Sequence, residues 1–310
     1  MQADLGSAVS NAGTLVGYTY GARYVYTDIV ILNDNFLRVS ACEDAYQTPL
    51  ASAVITVPAT RPVQYKDRMG NPTHRARLSS PHRNLTILAV GSVRLNSPPS
   101  ALEEVALANL RYDASAGEFL SSTPMVHPDM VADMARQIIR AGAGESVGND
   151  AGLLETVDGI VNWVYENITY IRGSTTVATT AEQVLGTRQG VCQDMTHLAM
   201  GMLRALGIPA RYVSGLMCGQ VGETHAWLEF LHPTQGWLPS DPTRGQSIVR
   251  GADLVKFAVW RHYTQASPVE GSFVSKGTGW LDVVVAQATP SAESVSFDDA
   301  MSLIENAKSA

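Results

Sequence analysis

Cysteine is scarce in this chain: Cys42, Cys192 and Cys218 are the three among 310 residues. An odd, sparse set builds no disulfide framework and fits a reducing, cytoplasmic compartment. No two cysteines stand at metal-binding spacing and no His-Glu-x-x-His occurs, so no metal site is expected. No acidic loop has calcium-ligand spacing, and no Walker-type phosphate loop is present, so no cofactor is expected. Charge is thin as well, with 16% Asp, Glu, Lys and Arg and a net charge of −7. Without a Lys/Arg run, neither a nucleic acid nor an anionic membrane is an expected partner. No uncharged apolar stretch approaches the roughly 18 residues of a membrane span. No basic segment followed by an apolar run opens the sequence, so no signal peptide is expected, and no repeat of about 20–50 residues is visible.

What is present is a globular composition, 45% hydrophobic, long enough for one large core or two ordinary ones. Residues 14–96 read as β structure. Tyr18, Tyr20, Tyr24 and Tyr26 alternate with other residues, and 54–57 and 85–90 are β-branched or apolar runs. Asp67-Arg68-Met69-Gly70-Asn71-Pro72 is a turn signal between strands. After Asn96-Ser97-Pro98-Pro99-Ser100 helical periodicity takes over, over 128–141 and 151–167, with a loop rather than a dinucleotide motif at 142–148. Thr180 and Gln183 mark the start of a short helix. Strands follow at 210–214, 224–230, from 237 and at 281–286, and Ser296 with Asp299 is a candidate cap for a short amphipathic tail helix, set against a docked or disordered tail and a contact with a partner chain. The expected class is α+β: an N-terminal β domain (1–97), a core of helices followed by antiparallel strands (98–287) and a tail (288–310).

The chemistry centres on residues 189–209. Met195, Leu198, Ala199, Met202, Leu203 and Leu206 fall on one helical face, and Gly207 and Pro209 stop the helix. Gly190 allows a sharp turn immediately before it. Cys192 therefore sits at the first turn of a mostly buried helix, where the helix field favours a thiolate and free N–H groups face any anion beside the sulfur. Set against this is a small apolar residue packed beneath a helix. A nucleophilic cysteine needs a base, and the base needs an acceptor to orient it. Of the seven histidines, His225 opens the strand His-Ala-Trp-Leu-Glu-Phe, sharing one face with Trp227 and Glu229. A hairpin turning at 232–236 brings its 225 end beside Asp241, an orienting carboxylate or else a turn former. His197 lies off the cysteine's face and reads as structural.

Gly190-Val191-Cys192-Gln193-Asp194, the segment 205–215, His225-Ala226-Trp227, Gly236-Trp237 and Asp241-Pro242-Thr243 together resemble the transglutaminase-like superfamily, in its bacterial branch of candidate cysteine proteases. The segment 261–271 and the first 95 residues, with Asp67–Asn71, are similar to that branch too. The resemblance implies a papain-like transglutaminase core preceded by an antiparallel β domain, with Cys192 as nucleophile, His225 as base and later acid, and Asp241 as orienter. Two positions depart from the pattern: Arg244 stands where Asn is common after Asp-Pro-Thr, and Arg261-His262-Tyr263 replaces Arg-Asp-Tyr. Arg244 is either a guanidinium that takes a substrate carboxylate or phosphate, or a solvated turn residue. Trp227 and Arg244 are the candidate substrate-binding residues. The implied reaction is acyl transfer from a protein, peptide or acyl thioester, the last including a carrier-protein-bound acyl group in small-molecule amide synthesis. Water or an amine is the acceptor. A non-catalytic scaffold on the same fold is the competing class.

Overall fold

One strand, β1 (Thr14–Leu37), runs for 24 residues and holds two successive sets of partners. In this computed structural model, which describes residues 13–143, 151–290 and, in the tail, 298, 299, 301, 302 and 305, the first part of β1 lies between β5 (His82–Leu95) and β14 (Gly279–Pro290). Its last part pairs with β4 (Pro72–Leu78) and β13 (Val269–Ser275). An irregularity between Val25 and Val30 separates the two, as bulges do where a strand bends to change neighbours. β2 (Gln47–Val57) extends the sheet beyond β5, β3 (Val63–Lys66) pairs with β4, and the two-residue β9 (Val221–Gly222) pairs with β14. The alternating residues of β1 bury Val16, Tyr18, Tyr20, Ala22 and Tyr26 on one core with Leu37.

The expected β reading of 14–96 therefore holds, but the strand expected at 281–286 has a different home. It is longer, and it pairs with β1 rather than with the sheet that follows the helices. From residue 269 the chain is back in the first sheet, so the stretch 98–287 contains two strands of that sheet. Hydrophobic patterning gives a strand but not its partner.

The second sheet has the order β11 (Gly236–Ser240), β10 (His225–His232), β8 (Ala210–Met217), β12 (Leu254–Trp260), all antiparallel. One face packs against α4 (Cys192–Ala205), around which α1 (Pro128–Ala143), α2 (Leu153–Asn167) and α3 (Ala181–Thr187) gather in the same core. Ala226, Leu228 and Phe230 point to this side, as the alternation in β10 predicts. On the other face Leu216, Val255 and Phe257 join the core of the first sheet. The second sheet is thus the middle of three layers.

The turn Asp67–Asn71 docks on β12. The Asn71 amide donates to the Val259 carbonyl and its Oδ1 accepts the Val259 N–H at 2.8 Å. A buried charge cluster lies nearby between the sheets: Glu229 accepts from Arg211 at 2.7 Å and from Lys256, which also donates to Asp44. α5 (Tyr263–Ala266) follows β12, and the two-residue strands β6 (Thr169–Tyr170) and β7 (Gln189–Gly190) pair in parallel ahead of α4. Residues 144–150, carrying most of the expected 142–148 loop, and Ser296 of the expected tail helix lie outside the described residues. The tail residues that are described are helical. Among the described residues no helix is long and apolar enough to cross a membrane.

Candidate active site

Cys192 is the first residue of α4, as the glycine turn and the apolar periodicity require. The turn is built by Asp194. Its Oδ2 accepts the Val191 N–H at 2.8 Å and the Thr175 hydroxyl at 2.6 Å, capping the helix start from inside. Burial pushes this carboxyl above its ordinary range, against the lowering effect of those two bonds. Gly190 is required here by space: a Cβ on it would stand 2.7 Å from the Asp194 Cβ. α4 then presents Met195, Leu198, Ala199, Met202 and Leu203 to the core, so a rigid, buried helix fixes the position of a half-buried thiol.

His225, at the first position of β10, is 5% exposed. Its Nε2 lies 2.7 Å from Asp241 Oδ2, and it lines the same cleft as Cys192. With Nε2 on the carboxylate, Nδ1 is the nitrogen left for sulfur. Burial alone would lower the imidazole pKa. The hydrogen bond to Asp241 and the electrostatic influence of Asp241 and Cys192 outweigh it and raise the pKa to about 9.

Asp241 comes from just past the end of β11. The register pairs Leu228 with Ser240, so the 232–236 turn brings the two ends together as expected. Asp241 lies deeper than a turn former would, at 0% exposed. Its Oδ1 accepts the Thr243 N–H at 3.0 Å and its Oδ2 accepts Arg244 Nε at 2.6 Å. Burial works to raise its pKa, but the contacts with His225 and Arg244 prevail and hold it below the ordinary carboxylate value.

Two expectations need correction. Arg244 neither binds at the substrate cleft nor is a solvated turn residue. Its Nε is on Asp241 and its Nη1 is 2.6 Å from Asp253 Oδ2, behind the histidine. Nε and Nη1 are thus committed to two carboxylates, while the buried Nη2 has no hydrogen-bond partner among the described residues. Trp227 is 1% exposed and packs with Val213 and Val259 against Met69 and Leu254. Its ring lies roughly parallel to His225, with centroids 6.1 Å apart. It supports the imidazole rather than lining the cleft. His197 is buried, with Nε2 accepting the Tyr263 N–H at 3.2 Å, and its pKa is lowered to about 3 chiefly by burial, so it is a neutral structural group.

The cleft in front of Cys192 and His225 encloses about 350 Å³ between the two sheets. Tyr20, Tyr24, Leu281 and Val284 of the first sheet form one wall, and Tyr212 and Tyr263 belong to the core opposite. Sequence reasoning missed these residues. The tyrosine alternation in β1 was visible, but the face it presents depends on how the two sheets stack. Among the described residues Glu223 is the lining carboxylate, and neither lysine nor arginine lines the cleft. Arg172 stands 3.9 Å from Glu223 at the exposed rim. Among the described residues no group of three His, Cys, Asp or Glu is arranged to hold a metal ion.

Residues 140–242 match the sequence profile of the transglutaminase-like superfamily. An uncharacterized protein of Mycobacterium leprae is 29% identical over 86% of this chain and 95% of its own length. A 68-residue stretch is 40% identical to a protein-glutamine gamma-glutamyltransferase of Pseudomonas aeruginosa, covering 18% of this chain and 10% of that one. The crystal structure of a candidate cysteine protease from Cytophaga hutchinsonii shares the fold, with a TM-score of 0.71 and 22% identity over 92% of this chain and 91% of that one.

Proposed function

The chain is a member of the transglutaminase-like superfamily, and on that premise we propose that it is a cysteine acyltransferase or hydrolase working through a thioester on Cys192. One observation carries this reading: His225 lies 2.7 Å from the buried Asp241 carboxylate and lines one cleft with Cys192. That is the arrangement a nucleophile, a base and its orienter need.

In the proposed reaction Cys192 sulfur attacks an amide or thioester carbonyl and the carbonyl electron pair moves to oxygen. Collapse of the adduct expels the leaving group, which takes its proton from His225, and leaves the acyl group on sulfur. His225 then removes a proton from the acceptor as that attacks the thioester, and the thiol is restored. Asp241, with Arg244 behind it, keeps the imidazole in one tautomer throughout. With Arg244 committed to Asp241 and Asp253, the lining among the described residues offers Glu223 and no lysine or arginine. This favours neutral acyl groups and a cationic amine acceptor over anionic substrates. Water in place of the amine makes the same chemistry hydrolytic. Three unpaired cysteines favour a reducing, cytoplasmic setting.

The test supplies acyl donors of two kinds, a glutamine peptide and a simple acyl thioester, with and without a biotinylated primary amine. Intact mass follows the acyl adduct on Cys192 and its release. Amide product with amine present supports transfer, and free acid alone supports hydrolysis. No adduct with either donor, together with alkylation of Cys192 no faster than that of Cys218, supports the scaffold alternative.

A further inference from the structure

We propose that the Tyr212 hydroxyl, together with the Cys192 backbone N–H, forms the oxyanion hole of this site. The inference rests on the acyl-transfer reading above.

Tyr212 is 1% exposed and stands on β8, in the middle layer, directly against α4: it belongs to the same buried cluster that Cys192 packs on. Burying a phenol without a hydrogen-bond partner is costly. Among the described residues Tyr212 Oη has no protein hydrogen-bond partner, as is also true of the Tyr20, Tyr24 and Tyr263 hydroxyls that line the same cleft, while Tyr18 and Tyr26 of the first core engage the Ala41 N–H and the Asn33 amide, and Tyr112 the Leu231 carbonyl. Tyr212 lines the cleft beside Cys192 and His225. The hydroxyl is thus held for something that enters the cleft.

Its ring is fixed on two sides. His197 packs against it with centroids 5.1 Å apart, and Tyr263 meets it edge-on at 6.0 Å. Tyr263 is anchored in turn by its N–H on His197 Nε2. Such support is what a preorganised donor requires. Burial, then the neighbouring charges of Cys192, Tyr263 and Asp194, hold the phenol well above its ordinary pKa, so it remains a donor through the neutral range. The backbone half of the pair comes from the helix start: as the first helical residue, Cys192 has an N–H with no acceptor within α4.

When sulfur adds to a carbonyl, the S–C bond forms and the C=O pair moves to oxygen. That oxyanion accepts hydrogen bonds from the Cys192 N–H and the Tyr212 O–H. Neither proton is transferred. Collapse reforms C=O and releases the leaving group with the proton from His225.

Alkylation separates this role from thiol activation. Iodoacetamide reacts at carbon by displacement and forms no oxyanion, whereas p-nitrophenyl acetate passes through one. Both rates are measured on the full chain for wild type, Tyr212→Phe and Cys192→Ala. The expected result for Tyr212→Phe is acylation of Cys192 slowed by about a hundredfold with alkylation within about twofold of wild type. Equal acylation in the two proteins, or a parallel loss of both reactions in a folded variant, overturns the proposal. Should Tyr212→Phe fail to fold, 3-fluorotyrosine at position 212 keeps the ring and strengthens the donor. It is expected to speed acylation and leave alkylation alone, and no change in acylation overturns the role. A wild type that shows fast alkylation of Cys192 but no acylation contradicts the acyl-transfer reading itself, and with it this proposal.

Discussion

The Nε2 of His225 lies 2.7 Å from Oδ2 of Asp241, and both side chains are buried. Held this way, the imidazole has one orientation and a raised affinity for its proton. Asp241→Asn keeps the shape and removes the charge. It is expected to slow acylation of Cys192 by about 10³–10⁴-fold, the loss seen when a triad carboxylate is neutralised. Stopped-flow acylation with an activated ester measures it, and a loss below tenfold contradicts the orienting role.

The same pair makes stability depend on pH. The folded-state pKa of His225, about 9, lies above its ordinary 6.5. Its stabilisation is therefore fully present below about 6.5 and is lost as pH rises through about 9. The difference in thermal midpoint between wild type and His225→Gln is expected to shrink across that window. A difference that is flat from pH 6 to 10 counts against the charged pair.

Arg244 touches the other side of the Asp241 carboxylate. Arg244→Met leaves the buried Asp241 with one cation fewer and is expected to destabilise the protein by about 1–3 kcal/mol, with a smaller loss of Cys192 acylation than Asp241→Asn gives. Urea denaturation and acylation kinetics together decide. Unchanged stability with a raised KM would return Arg244 to substrate binding.

Gly190 faces Asp194 too closely for any side chain. Gly190→Ala is expected to cost about 1–3 kcal/mol, as overpacking does, and to slow Cys192 alkylation by displacing the helix start. A stable variant with wild-type alkylation contradicts the account of the turn.

Lys256 joins Asp44 of the first sheet's loop to Glu229 of the second sheet. Lys256→Met leaves the buried Glu229 with Arg211 as its remaining cation and Asp44 without its lysine. It is expected to cost about 3–5 kcal/mol, read as a lower urea midpoint. Unchanged stability shows that the cluster does not hold the layers together.

The sequence carried the fold class and the placement of the candidate site residues further than it carried the strand pairing, for physical reasons. A helix start after Gly190, a strand opening at His225 and a tight turn at 232–236 are local features, and together they bring Cys192, His225 and Asp241 to one place. β12 went unassigned, although its run from Leu254 to Trp260 is nearly continuous and apolar, because a buried strand shows no alternation. The pairing of β14 with β1 joins residues more than 250 positions apart, and no local pattern encodes it. The same holds for Arg244: its type suggested a ligand, while its role depends on Asp253, which sequence alone does not place beside it. Tyr212 was visible only as one residue of a strand. Its meaning comes from a hydroxyl without a partner, which only the packed structure reveals.

The central claim is that Cys192 is an activated nucleophile paired with His225. Burial raises the pKa of Cys42 to about 12 and that of Cys218 to about 11, so both are protonated at neutral pH and provide internal controls. Limiting iodoacetamide from pH 5 to 9, read by intact mass and peptide mapping on wild type, Cys192→Ala and His225→Ala, tests the claim most directly. The account predicts a single label on Cys192 already at pH 6, absent in Cys192→Ala and slowed at least tenfold in His225→Ala. Slow, equal labelling of all three cysteines, or labelling of Cys192 that does not respond to the loss of His225, contradicts it.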